Sequence, residues 1–118
     1  MRDEALHTSR VIEAVENILE ELNVTYVDVK IKTNTKMGDE RVTCETTTDW
    51  EYRQASMDWC LPIVAVLSDL DLRRTAVHEV VHVMVAEMEM QVKDKDLPNK
   101  LCERAVENVT RAILEILP

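Results

Sequence analysis

The sequence predicts an α+β fold in one domain, residues 1–118, with helices packed on a small, mainly antiparallel sheet of about three strands. Three observations carry this. Apolar residues recur at helical spacing through residues 5–22, strict alternation follows over residues 24–33, and a long apolar stretch of helical character runs from Ser68 to about Val92.

In the first segment Leu6, Val11, Ile12, Val15, Ile18, Leu19 and Leu22 share a face opposite Glu13, Glu16 and Glu20, which makes an amphipathic helix. From Val24 to Thr33 the β-branched Val27, Val29 and Ile31 alternate with Asp28, Lys30 and Lys32, a strand with one wet face. Asn34 to Asp39 holds the only glycine, Gly38, and predicts a turn, so Arg41 to Thr48 is expected to fold back as the second arm of a hairpin. A third extended segment runs from Glu51 to about Trp59, and Pro62 interrupts its continuation, leaving Ile63 to Leu67 open between strand and buried helix. Ser68 or Asp69 is placed to cap the long helix, which should end in the charged loop Lys93-Asp94-Lys95-Asp96. Pro98 suits the first turn of a last helix over residues 97–117.

Composition narrows the function. With 14 Lys+Arg against 23 Asp+Glu, the formal net charge of −9 offers no attraction to nucleic-acid phosphates or anionic lipid, so neither nucleic acid nor membrane is an expected partner. Uncharged runs fall far short of the ~20 residues a membrane span requires. The start Met1-Arg2-Asp3-Glu4 has no apolar core of a secretory signal. Cys44, Cys60 and Cys102 are odd in number and widely spaced, which reads as reduced thiols in the cytoplasm. In that compartment the Asn-Val-Thr triplets at Asn23 and Asn108 carry no glycan.

The segment richest in chemistry is Thr75-Ala76-Val77-His78-Glu79-Val80-Val81-His82-Val83-Met84, an HExxH motif within an apolar helix. One helical turn separates His78 from His82, so both imidazoles can bind one tetrahedral Zn²⁺, while Glu79 points about 100° around the helix and stands beside the metal without ligating it. Zinc acidifies a bound water and polarises a carbonyl, and Glu79 is suited to accept the water's proton and pass it to a leaving amine. Peptide-bond hydrolysis is the expected chemistry and a polypeptide the expected substrate or partner.

A catalytic zinc commonly takes three protein ligands. His7, far upstream on the first helix, reads as a surface or helix-edge residue, which leaves a glutamate of the last helix. On a helical projection Glu103 falls nearer the border of the apolar stripe than Glu107, which suits Glu103 as ligand and Glu107 as an alternative ligand or as acceptor for a ligand histidine.

His78-Glu79-Val80-Val81-His82, with Glu103 following 21 positions after His82 in an ExxxE context, resembles the gluzincin metallopeptidases, and the short chain resembles minigluzincins, ImmA/IrrE-like peptidases and small phage-encoded zincins. The resemblance implies a minimal zincin-like fold with an HExxH helix and a C-terminal glutamate helix, His78, His82 and Glu103 as zinc ligands, and Glu79 as general base and acid. It further implies that the strand before the metal helix, within Tyr52 to Trp59, forms the cleft rim and takes an extended peptide along its edge. Where those families usually carry Asp or Asn four positions after the ligand glutamate, this chain has Glu107. Tyr52, Tyr26 and Arg53 are candidates to stabilise an oxyanion. Met84, Met88 and Met90 read as core filler, Trp50 and Trp59 as core or cleft wall, and Cys102 as a buried thiol whose alternative is an inhibitory ligand. The second functional reading is a catalytically latent zincin-fold module that binds zinc and regulates or recruits a partner.

Overall fold

The computed structural model describes residues 3–36, 42–86, 88–90 and 99–117. It is α+β, with helix α1 (Glu4–Glu21), strands β1 (Asp28–Asn34), β2 (Cys44–Asp49) and β3 (Gln54–Cys60), and helices α2 (Leu61–Val64), α3 (Asp69–Met84) and α4 (Asn99–Ile116). Part of the expected turn (Met37 to Asp39), Arg41, the segment from Gln91 to Lys95 and the stretch Asp96 to Pro98 lie outside the described residues.

Helix α1 buries Val11, Val15 and Ile18, the centre of the predicted stripe, whereas Leu6 and Ile12 at its margin are exposed. Its end is a Schellman turn. Asn23 adopts φ 56°, its N–H bonds Glu20 O at 3.0 Å, and the Val24 N–H bonds Leu19 O at 2.8 Å. Asparagine tolerates this left-handed backbone better than most residues, which gives Asn23 a structural task.

The sheet differs from the expected hairpin order. Its strands lie β1-β3-β2, with β1 parallel to β3 and β2 antiparallel to β3, so the sheet is mixed and β1 does not pair with β2. The tight connection is the one between β2 and β3, where the 3₁₀ turn Trp50–Tyr52 is followed by Arg53 at φ 53°, ψ 48°, and Asp49 pairs with Gln54. The β1–β2 hairpin pairing does not form; the hairpin turn that joins β2 to β3 contains no glycine and places an arginine in the left-handed region. The alternation itself holds: Val29 and Ile31 pack on the core while Lys30 and Lys32 face outward. Central strand β3 contributes the fully buried Met57 and Trp59.

The segment left open between strand and helix is helical, with Pro62 in the first turn of α2, where a missing N–H costs no hydrogen bond. Arg10 of α1 then fixes how α2 passes into α3: its guanidinium donates to Val64 O at 3.2 Å, Leu67 O at 2.8 Å and Asp69 Oδ1 at 3.0 Å. Ser68 caps α3 by accepting the Asp71 N–H at 3.1 Å. Thus anchored, α3 packs Leu72, Ala76, Val77, Val80, Val81 and Val83 into a core shared with α1, the sheet and Val106 of α4. α3 ends at Met84, earlier than the apolar run suggested, and helical residues resume at Ala86 and at 88–90. On α4 the inward face is Cys102, Val106 and Thr110, while Val109 and Ile116 of the projected stripe are exposed. Among the described residues no helix is long and apolar enough to cross a membrane.

Candidate metal centre

One face of α3 and one face of α4 meet over a cavity of about 1130 Å³, walled on the third side by residues 42–46 at the start of β2. His78, His82 and Glu103 converge there, offering three ligand atoms within 4.8 Å of one another. This group can hold a metal ion. His78 Nε2 lies 3.6 Å from Glu103 Oε2, and His82 Nε2 lies 3.3 Å from Glu103 Oε1. Both separations exceed the ~2.7–2.9 Å of a charge-assisted hydrogen bond. The two contacts end on different oxygens of Glu103, so its carboxylate faces both imidazoles. The donor set, two imidazoles and one carboxylate, is one that zinc accepts.

The outer nitrogens of both rings are committed elsewhere. His78 Nδ1 stands 3.0 Å from Glu107 Oε2, and His82 Nδ1 stands 2.7 Å from Glu89 Oε1. An ionised carboxylate only accepts, so each Nδ1 carries the proton and donates it, and in the neutral ring the Nε2 lone pair faces Glu103. Arg111 steadies Glu107 through a 3.3 Å contact to its other oxygen. Glu107 therefore stands against a histidine, while Glu103 belongs to the group that could hold a metal ion.

Glu79 is 7% exposed, and its Oε2 accepts a 2.6 Å hydrogen bond from Thr46 Oγ1 of β2. Burial pushes its carboxyl above the ordinary range, opposed by the Thr46 bond and by the neighbouring His82 and His78. It lines the same cavity as the metal group without belonging to it.

Two of these residues escaped the sequence reading. Thr46 sits in a run of three threonines whose only visible signal was strand propensity. Glu89 lies seven residues beyond His82, about 10.5 Å of helical rise and past the end of α3 at Met84, a separation at which the spacing gave no signal for the contact.

Other expectations fall elsewhere. Tyr26 and Arg53 line a separate cavity of about 150 Å³ with Trp50 and Met84, Tyr52 is 72% exposed, and none of the three lines the metal cavity. Among the described residues the cations that do line it are Arg74 and Arg111. The strand within Tyr52 to Trp59 is not a rim: β3 pairs on both sides, and the strand beside the metal helix whose outer edge has no strand partner among the described residues is β2. Met84, Met88 and Met90 are exposed and fill no core, and Trp59 is buried whereas Trp50 is partly exposed. Cys102 is buried on the cavity wall and outside the metal group. His7 accepts a hydrogen bond from Arg10 at Nδ1, 3.1 Å, on the far helix α1. No protein-family model and no curated protein matches the sequence.

Proposed function

We propose that this protein is a zinc-dependent metallopeptidase of gluzincin type, with His78, His82 and Glu103 as zinc ligands and Glu79 as general base and acid. The observation that carries the reading is the convergence of two imidazole nitrogens and the Glu103 carboxylate within 4.8 Å of one another, with a buried glutamate one residue from the first ligand and outside the ligand set. Zinc bound there would polarise a peptide carbonyl and acidify a water to a pKa of about 7. Glu79 would hold the proton that water loses and deliver it to the amide nitrogen as the C–N bond breaks. Glu107 and Glu89 keep both imidazoles in the tautomer that presents Nε2.

Substrate placement follows from β2. Its free edge runs beside the metal group, and an extended polypeptide adding to it as a further strand would carry its backbone past Thr46 and Glu79. In this reading the zinc would take His78, His82 and Glu103 and keep its fourth position for water, as catalysis requires.

The test is elemental analysis of the purified protein beside His78→Ala and Glu79→Gln, followed by hydrolysis assays on a mixed peptide library. The expected result is about one zinc per chain in the wild type and in Glu79→Gln, loss of zinc in His78→Ala, and hydrolysis by the wild type alone. A wild-type protein that takes up no zinc overturns the reading, and hydrolysis by Glu79→Gln at the wild-type rate removes Glu79 as the base.

A further inference from the structure

Glu79 is a carboxylate in an apolar setting, 7% exposed, and such a group is costly unless a donor meets it. The donor is Thr46, at 2.6 Å, from a different element of the fold. A hydroxyl has a single proton, so once Thr46 donates to Glu79 its oxygen is left to accept. The Cys44 sulfur lies 3.8 Å from Thr46 Oγ1, on the same face of β2 two residues earlier. With the hydroxyl proton spent on the carboxylate, the thiol is the donor in that contact. Burial and the charge of Glu79 push the Cys44 thiol well above the ordinary thiol range, which keeps its proton in place. Cys44 to Thr46 to Glu79 is thus a hydrogen-bond chain that runs in one direction and ends on a carboxylate beside the metal group.

We propose that Thr46 is the positioning residue of the general base: its hydroxyl holds one oxygen of Glu79 so that the other is presented to the metal site, and the Cys44 thiol orients that hydroxyl. The inference rests on the metallopeptidase reading and adds to it a residue on the strand along which substrate would lie. A peptide paired to β2 would then be anchored to the same strand that aims the base.

The experiment uses zinc-loaded protein and acetohydroxamate, a small chelator whose N–OH proton passes to a base beside the metal when it binds. Chelator competition gives zinc affinity and calorimetry gives acetohydroxamate affinity, for wild type, Thr46→Val, Thr46→Ser, Cys44→Ala and Glu79→Gln. Thr46→Val should bind zinc as the wild type does and acetohydroxamate about tenfold more weakly, in keeping with loss of a hydrogen bond to a charged group. Thr46→Ser should restore binding, Cys44→Ala should weaken it by less than Thr46→Val, and Glu79→Gln should weaken it at least as much. If Thr46→Ser binds as weakly as Thr46→Val, the methyl and its packing matter and the hydroxyl does not, which overturns the proposal. Wild-type acetohydroxamate affinity in Thr46→Val, with Glu79→Gln impaired, overturns it as well. Should Thr46→Val fail to fold, the serine and Cys44 variants decide: wild-type binding by Cys44→Ala removes the thiol from the chain, and weak binding by Thr46→Ser removes the hydroxyl. Failure of the metal-site reading looks different, with no zinc uptake by the wild type or equal acetohydroxamate binding in wild type and Glu79→Gln.

Discussion

At the scale of single residues, the site is built by protons that have one place to go. His78 and His82 each donate the Nδ1–H to a carboxylate, Thr46 donates its hydroxyl to Glu79, and Cys44 donates its thiol to Thr46. Cys44 offers a clean pH signature. Its folded pKa stands above the value in the unfolded chain, where the thiol ionises near ~8.5. Unfolding above that pH releases a proton that the folded state retains, so the stability tied to this group is fully present below about pH 8.5 and is lost as pH rises beyond it. Urea unfolding between about pH 7.5 and 10 should therefore show a steeper decline for wild type than for Cys44→Ala. Parallel declines would mean that the thiol ionises alike in both states. The thiol should also resist alkylation in the folded protein at a pH where exposed thiols react.

At the scale of elements, α3 alone cannot make a metal site. It supplies two imidazoles one turn apart, α4 brings Glu103 and Glu107 across the cavity, the helical residues after Val85 bring Glu89, and β2 contributes Thr46. The consequences can be ranked. Glu103→Ala removes a ligand and should lower zinc affinity most, whereas Glu107→Ala and Glu89→Ala each remove a carboxylate from an Nδ1 and should cost about 10- to 100-fold. Chelator-competition titrations on the three variants test the order, and a larger loss in Glu107→Ala than in Glu103→Ala would reassign the ligand. Glu89→Ala carries a second expectation: ¹⁵N spectra of the zinc-loaded protein should show the His82 ring perturbed more than the His78 ring, since their partners differ.

At the scale of the whole molecule, charge and fold work against each other around the cavity. Among the described residues Glu45, Glu79, Glu89, Glu103, Glu107 and Glu115 line it, faced by Arg74 and Arg111, in a chain whose formal net charge is −9. Crowded carboxylates repel one another in the folded state more than in the expanded chain, so a divalent cation held between α3 and α4 should stabilise the fold directly. At free zinc near one hundred times the dissociation constant the gain is about 2.7 kcal/mol. For a chain of this size that is roughly 10 °C in Tm. Thermal unfolding with zinc and then with excess EDTA should show that drop in wild type and none in His78→Ala. An equal response in both proteins would place the stabilising ion elsewhere.

Local patterns were legible wherever chemistry repeats along the chain. The stripe of α1, the alternation of β1, a cap at Ser68 or Asp69, the HExxH spacing and the ExxxE spacing of Glu103 and Glu107 all depend on neighbours within a few residues and were legible in the sequence. Tertiary structure decided what distant segments do to one another. It set the strand order β1-β3-β2 and the hairpin turned by Arg53, and it put β2 at an edge without a strand partner among the described residues, where the resemblance implied the strand ending at Trp59. It also decided the meeting of Glu89 with His82 and of the Thr46 hydroxyl with Glu79 across 33 positions of sequence. The physical reason is one of range: periodicity and capping are written in adjacent residues, whereas a hydrogen bond between a strand and a helix exists only once burial against a shared core has fixed both.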